Sequence, residues 1–248
     1  MRRLSENNVG GTEMKSAAKR ILVVLLCVLM FASMLPVSAE AVGSYGALST
    51  KKVPIQYPTE FFSEVMVAKL TGATKNGGPY IVPKPETGNG DLGVVKNGSN
   101  VIILAEDGDY YFYMTTSGKL GWTNKKYFTE PTVVEDGYLF GKSGLDVDDI
   151  IKIKKYISEG DCGFASKDYY ASRAVLVMKK GETKKISVHR KWNGKYSASY
   201  YAGDITPKWI GNGANCKVQI KAKSVGHTYL TFTNEMNDQE FYVLIIIT

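Results

Sequence analysis

Cysteine and histidine are scarce in this chain, with three and two residues among 248. So few ligands give no His/Cys cluster at metal-binding spacing, which argues against a zinc finger or a thiolate-held cluster. No glycine-rich phosphate loop is present, and no Ser/His/Asp order stands out. Basic residues outnumber acidic ones, 31 to 24, but they form no stripe of the kind that binds nucleic acid. Long apolar runs are missing too. The stretch 21–31 is shorter than the ~18–20 residues that span a bilayer, and the final run "FYVLIIIT" is shorter again. These absences leave no expected cofactor, no metal, no nucleic-acid partner and no membrane segment in a mature chain.

What is present begins with a leader. Arg2, Arg3, Lys15, Lys19 and Arg20 precede the apolar run, and Pro36-Val37-Ser38-Ala39 then supplies a helix breaker and small residues. Residues 1–39 therefore read as a secretory signal, cleaved after Ala39 or alternatively after Ala41. Cleavage at Ala39 removes five basic and two acidic residues, so the net charge falls from +7 to +4. That mild charge suits a neighbourhood of anionic wall polymers, and equally an ordinary solvated surface. A secreted or cell-surface location follows. Cys162 and Cys216 remain after cleavage, and export permits one disulfide between them. Spacing alone does not bring their Cα atoms within reach, so two buried thiols are the other reading.

Residues 40–75 are mixed. Thr59 suits the cap of a short helix, while Val65 and Val67 suit a strand, and both readings stay open. From 76 to 130 the text is strand and turn. "VIILA" (101–105) is a short apolar run, "EDGD" carries an Asp-Gly hairpin signal, and "YYFYMT" (110–115) is a run of strand formers. "GKLGWTNKKYF" (118–128) follows. Gly118 is expected to supply positive φ in a turn, and Gly121 to permit a bend or a close backbone approach. Trp122 is large enough to plug one end of a small barrel. Alternation puts Tyr111 and Tyr113 on one face of their strand and Tyr110, Phe112 and Met114 on the other. One set must fill the core, and the other is free to form an aromatic groove for a peptide. Lys125 and Lys126 read as a solvated face.

In order and spacing this stretch resembles a bacterial SH3 domain. The matching elements are Val95-Lys96-Asn97-Gly98, the apolar strand 101–104, the aromatic strand 110–114, Gly-x-x-Gly-Trp at 118–122, and Tyr127-Phe128. The usual Leu-Asn-Val-Arg opening is replaced by Tyr80-Ile81-Val82-Pro83. The resemblance implies a module that binds cell-wall peptide (peptidoglycan) or a surface protein, with Tyr110, Tyr111, Tyr113, Trp122 and Tyr127 as contacts.

Residues 131–170 read as a linker with one helix. "LDVDDIIKIKKYISEG" (145–160) sets Val147, Ile150, Ile151 and Ile157 near helical spacing, behind Asp146, Asp148 and Asp149, whose charge suits a helix N-terminus. The helix is slightly similar to half of a dockerin repeat, but "YLFGKSG" offers no calcium ladder. Residues 171–248 alternate, as in Val218, Ile220 and Ala222 against Lys217, Gln219 and Lys221. They resemble a bacterial Ig-like domain of the second group on the turn Lys180 to Thr183, the strand around Trp209, the Gly226-His227-Thr228 turn and the apolar last strand. This implies a spacer or adhesion unit.

The expected fold is thus mainly all-β: an SH3-like barrel and an Ig-like sandwich joined by a linker with one short helix. The expected role is a non-catalytic surface protein. The alternative lies in "GDCGF", which is similar to the nucleophile segment of NlpC-type wall cysteine peptidases. It implies Cys162 as nucleophile and His227 as base. The quick turn to strand after Cys162 leaves little room for a nucleophile helix, and neither Asn234 nor Asn237 stands out to orient the histidine.

Overall fold

The Asp-Gly hairpin forms where the sequence puts it. β6 (Asn100–Asp107) and β7 (Tyr110–Thr115) run antiparallel around Gly108, whose φ of 50° the turn requires. These two strands sit at the centre of a five-stranded sheet in the computed structural model, which describes residues 45–48, 54–72, 77–86, 92–160, 162–191 and 194–248. The expected signal, residues 1–39, lies outside them. Backbone packing divides the chain into Met1–Val42, outside the described residues, and Gly43–Thr248, which forms one unit.

The first sheet has the order β8-β7-β6-β3-β9, with β3 at Met66–Lys69, β8 at Leu120–Asn124 and β9 at Thr132–Val133. The segment around Val65 and Val67 is thus strand, not helix. Two short ribbons accompany this sheet, β1 (Tyr45–Leu48) with β2 (Pro54–Gln56) and β4 (Tyr80–Ile81) with β5 (Gly93–Val94). Val82 and Trp122 exchange backbone hydrogen bonds of 2.8 and 2.9 Å along the β8 edge.

The expected barrel does not close, since β8 and β9 end the sheet at opposite edges. The reason lies in what covers its faces. Ile102, Leu104, Phe112 and Met114 point to one side, into a core that contains no second half of the same sheet. That core is completed by the helix and by strands of the C-terminal region, so curling the sheet would add nothing.

Asp146 caps that helix, α1 (Val147–Ser158). Its side chain accepts from the Asp149 amide at 2.8 Å, and Asp149 accepts from the Asp146 amide at 3.2 Å, a reciprocal capping box. The buried stripe is Val147, Ile150, Ile153, Lys154 and Ile157, with Tyr156 beside it. Ile151, placed in the apolar stripe by spacing, is half exposed instead.

Two further sheets face each other behind the helix. One has the order β10-β11-β13-β16-β15: Phe164–Ser166, Tyr169–Ala171, Thr183–Arg190, Asn215–Ala222 and Ile205–Ile210. The other has the order β12-β18-β17-β14: Val175–Met178, Gln239–Ile247, Gly226–Asn234 and Tyr196–Tyr200. Their inner faces share one core that includes Ile186, Val218, Ile220, Leu230, Phe232 and Phe241. β12 and β18 pair in parallel and are buried on both faces. Leu176, Met178, Val243 and Ile245 enter the sandwich, whereas Val175, Val177, Leu244 and Ile246 face the helix and the first sheet. Each fully buried Ile or Leu is worth about 1.5–3 kcal/mol, so this shared layer dominates the contact between the regions.

Candidate functional site

Cys162 and His227 are not brought together. Cys162 is fully buried, and its Sγ donates to the carbonyls of Tyr156 (3.0 Å) and Gly160 (3.1 Å). It bridges to Tyr242 along one edge of β18, whereas His227 pairs with Ile246 across the other edge. Four residues of strand separate those partners, ~13 Å along the strand axis. A thiolate nucleophile needs an imidazole in hydrogen-bond reach and access to substrate, and this arrangement supplies neither.

Of the two readings of the cysteines, the structure has the two buried thiols: Cys162 and Cys216 are not joined by a disulfide. Cys162 belongs to the core between helix and first sheet, and Cys216 to the sandwich interior, so the β12–β18 layer lies between them. Cys216 leans its Sγ on the Val188 carbonyl at 3.4 Å. Burial pushes its thiol pKa up, with Arg190 pulling the other way, which keeps it protonated and inert.

Three of the five expected contact aromatics are committed to packing. Trp122 is 1% exposed, meets the Phe112 ring at a 52° tilt with centroids 5.1 Å apart, and donates its indole N–H to the Gln56 carbonyl at 2.6 Å. Tyr113 is fully buried in the smaller core on the other face of the sheet. There its hydroxyl accepts from Thr123 at 3.4 Å, and burial drives its pKa far up. Tyr110 packs half-buried on the larger core. Both faces of β7 are therefore covered along 112–114, and its aromatics keep partial exposure only at its start. Gly121 explains why. A Cβ there would stand 2.2 Å from Ile81 Cγ2, so the glycine lets the 81–82 segment close over β8.

Tyr111 and Tyr127 remain half-exposed, each beneath a lysine. Lys125 Nζ lies 5.1 Å from the Tyr111 ring centre and Lys126 Nζ 5.0 Å from that of Tyr127. Lys125 also pairs with Glu106 at 2.6 Å, and Phe128 meets Tyr111 edge-on at 5.4 Å. Desolvation raises the Tyr111 pKa, with Lys125 opposing. The lysine pair is thus part of an aromatic–cation surface rather than a purely solvated one.

Two polar groups escaped sequence reasoning because their partners lie far along the chain. His227 Nε2 sits 2.6 Å from Asp149 Oδ1, and Lys152 Nζ 3.5 Å from its Nδ1, so the capping residue of α1 also grips β17. Lys154, on the buried stripe, donates to the carbonyls of Phe62 (2.8 Å) and Glu64 (2.7 Å). Burial lowers its pKa, with Glu64 opposing. The only sequence signal was an apolar helix stripe interrupted by lysine. Among the described residues no group of three His, Cys, Asp or Glu side chains could hold a metal ion, and no helix is long and apolar enough to cross a membrane.

No family model and no curated protein matches the sequence. Among solved structures the chain is similar to the S-layer protein SbsC domains 4 and 5, at 13% identity and TM-score 0.29, over 73% of this chain and 99% of that one. It is also similar to the S-layer protein rSbsC(31-844), at 11% identity and TM-score 0.29, over 75% of this chain and 28% of that one.

Proposed function

We propose that the chain is a secreted, non-catalytic cell-surface protein that binds wall peptide or a surface protein through the Tyr111–Tyr127 end of its first sheet. In this reading residues 76–130 are a diverged bacterial SH3 unit left unclosed, and residues 171–248 are an Ig-like spacer. The carrying observation is the pair of partly exposed tyrosines, each under a lysine, at one end of the first sheet. Flat rings beside ammonium groups suit a polymer that offers sugar faces and free carboxylates.

Pelleting of the purified protein with peptidoglycan at low salt tests it. The wild type is expected in the pellet, and a Tyr111→Ala/Tyr127→Ala variant in the supernatant while it still unfolds cooperatively, its melting temperature lowered by about 2–8 °C through lost packing. Equal pelleting of both refutes the site. A purely architectural role is the second reading, favoured by the core that welds the first sheet to the sandwich. It predicts that neither protein pellets.

A further inference from the structure

The β7–β8 turn docks on the sandwich. A Cβ on Gly118 would stand 2.6 Å from the Val175 carbonyl oxygen, and Arg173 Nη1 donates to the Ser117 carbonyl at 3.0 Å. Beside this seam lies a cleft of about 260 Å³ lined by Thr116, Ser117, Lys142, Ser143, Lys179 and Lys184, with Val177, Met178 and Glu182 completing it. It sits at the end of β7 away from Tyr111, and it exists only because the first sheet, the 141–143 turn and the sandwich meet there.

The charges in the cleft do not balance. Glu182 is fully engaged, with Lys184 Nζ at 3.3 Å from Oε1 and the Lys179 amide at 2.9 Å from Oε2. Lys184 also donates to the Val177 carbonyl at 2.6 Å, which fixes its position. Lys142 and Lys179 are exposed to solvent, and among the described residues neither ammonium group is paired with a carboxylate. Two unneutralised cations share one concavity, and the Thr116 hydroxyl lines it with them. A bound anion is attracted by both charges at once.

We infer that this cleft binds a phosphate group, free or as part of a phosphodiester-linked polymer. Lysines act as point charges suited to phosphate, and the planar fork that favours a carboxylate is absent from the lining. No aromatic residue lines the cleft, so there is no platform for a base or a sugar ring. Its volume falls below the ~300–1,000 Å³ of sites that enclose whole small molecules, so it takes a charged group and not a nucleotide.

Thermal unfolding at neutral pH tests this, comparing inorganic phosphate with chloride at matched ionic strength. At a phosphate concentration about ten times Kd the midpoint should rise by about 3–6 °C. The rise should vanish in Lys142→Gln/Lys179→Gln and persist in Lys155→Gln, a lysine exposed elsewhere. A poly(glycerol phosphate) chain compared at equal phosphate separates the two sources, since a larger rise identifies the polymer and an equal one the isolated group. The Tyr111→Ala/Tyr127→Ala variant should keep the full response, which separates this site from the peptidoglycan surface. No phosphate-specific rise in the wild type, or an equal rise in the double lysine variant, overturns the assignment.

Discussion

β16 and β18 lie in the two facing sheets of the sandwich and are opposite in texture. β16 alternates, burying Cys216, Val218, Ile220 and Ala222 and exposing Lys217 and Lys221. β18 buries Phe241 and then Val243, Leu244, Ile245, Ile246 and Ile247 without a break. A strand wetted on one face must alternate, and a strand covered on both need not. The contrast marks β12 and β18 as an inner layer. The sandwich fills one side, and α1 with the first sheet fills the other. What a linear reading takes for two modules on a linker is a stack in which the middle sheet serves both.

Removing Ile153 attacks that stack most directly. It is fully buried on the helix face that meets Leu244 and Ile246. Ile153→Ala should cost about 2–5 kcal/mol. If the layer is shared, amide protection in β7 and β16 should fall together in hydrogen exchange. Loss confined to the first sheet would restore the picture of independent modules.

Gly118→Ala probes the same seam from its edge. Gly118 and Gly181 have the same φ of 83°, but only Gly118 has backbone in the way. Ala at Gly181 should cost only the left-handed penalty, about 1–2 kcal/mol. Ala at Gly118 should add about 1–3 kcal/mol from pushing the turn off Val175, read as the difference between two denaturant midpoints. Equal losses would mean the turn rests on the sandwich without support from it.

The alkaline limb separates the two faces of the first sheet. Tyr113, in the small core, and Tyr156, in the shared one, both have pKa values raised chiefly by burial. Their unfolded counterparts ionise near pH 10, so the folded state holds more protons above that pH and stability falls as pH rises. Each contributes a slope of up to about 1.4 kcal/mol per pH unit. Tyr113→Phe should flatten the decline between pH 10 and 11, and an unchanged slope would mean the small core opens before the molecule unfolds.

Local signals were legible in the sequence where short-range physics decides. The Asp-Gly turn, the left-handed Gly118, the acidic start of α1 and the alternation of β16 each rest on contacts a few residues apart. The mainly-β fold follows from them. The unbroken run 243–247 was also visible, and double-sided burial is its physical meaning. What covers the second face, however, comes from α1 and the first sheet, far earlier in the chain, and no local pattern carries that. The candidate site was legible only in part, for the same reason. Whether Tyr113 and Trp122 face solvent depends on the 81–82 segment and on Gln56, and whether Cys162 meets His227 depends on which edges of β18 they occupy.

The Asp149–His227 contact is the weakest tie in this seam and the most exact test of its nature. Asp149 does two things: its carboxylate accepts from the Asp146 amide, and its Oδ1 meets His227 on β17. Asp149→Ala should cost about 0.5–2 kcal/mol through the cap alone. His227→Ala removes only the cross-element contact, so a double-mutant cycle between the two isolates it, with an expected coupling of about 0.5–1 kcal/mol at neutral pH. Asp148→Ala, on the exposed side of the same turn, should show no coupling to His227. If Asp149 also shows none, the polar grip on β17 is a consequence of the stack and not one of its supports, and the apolar contacts and the Tyr156 hydroxyl, which donates to the Ala174 carbonyl at 3.2 Å, hold helix and sandwich without it.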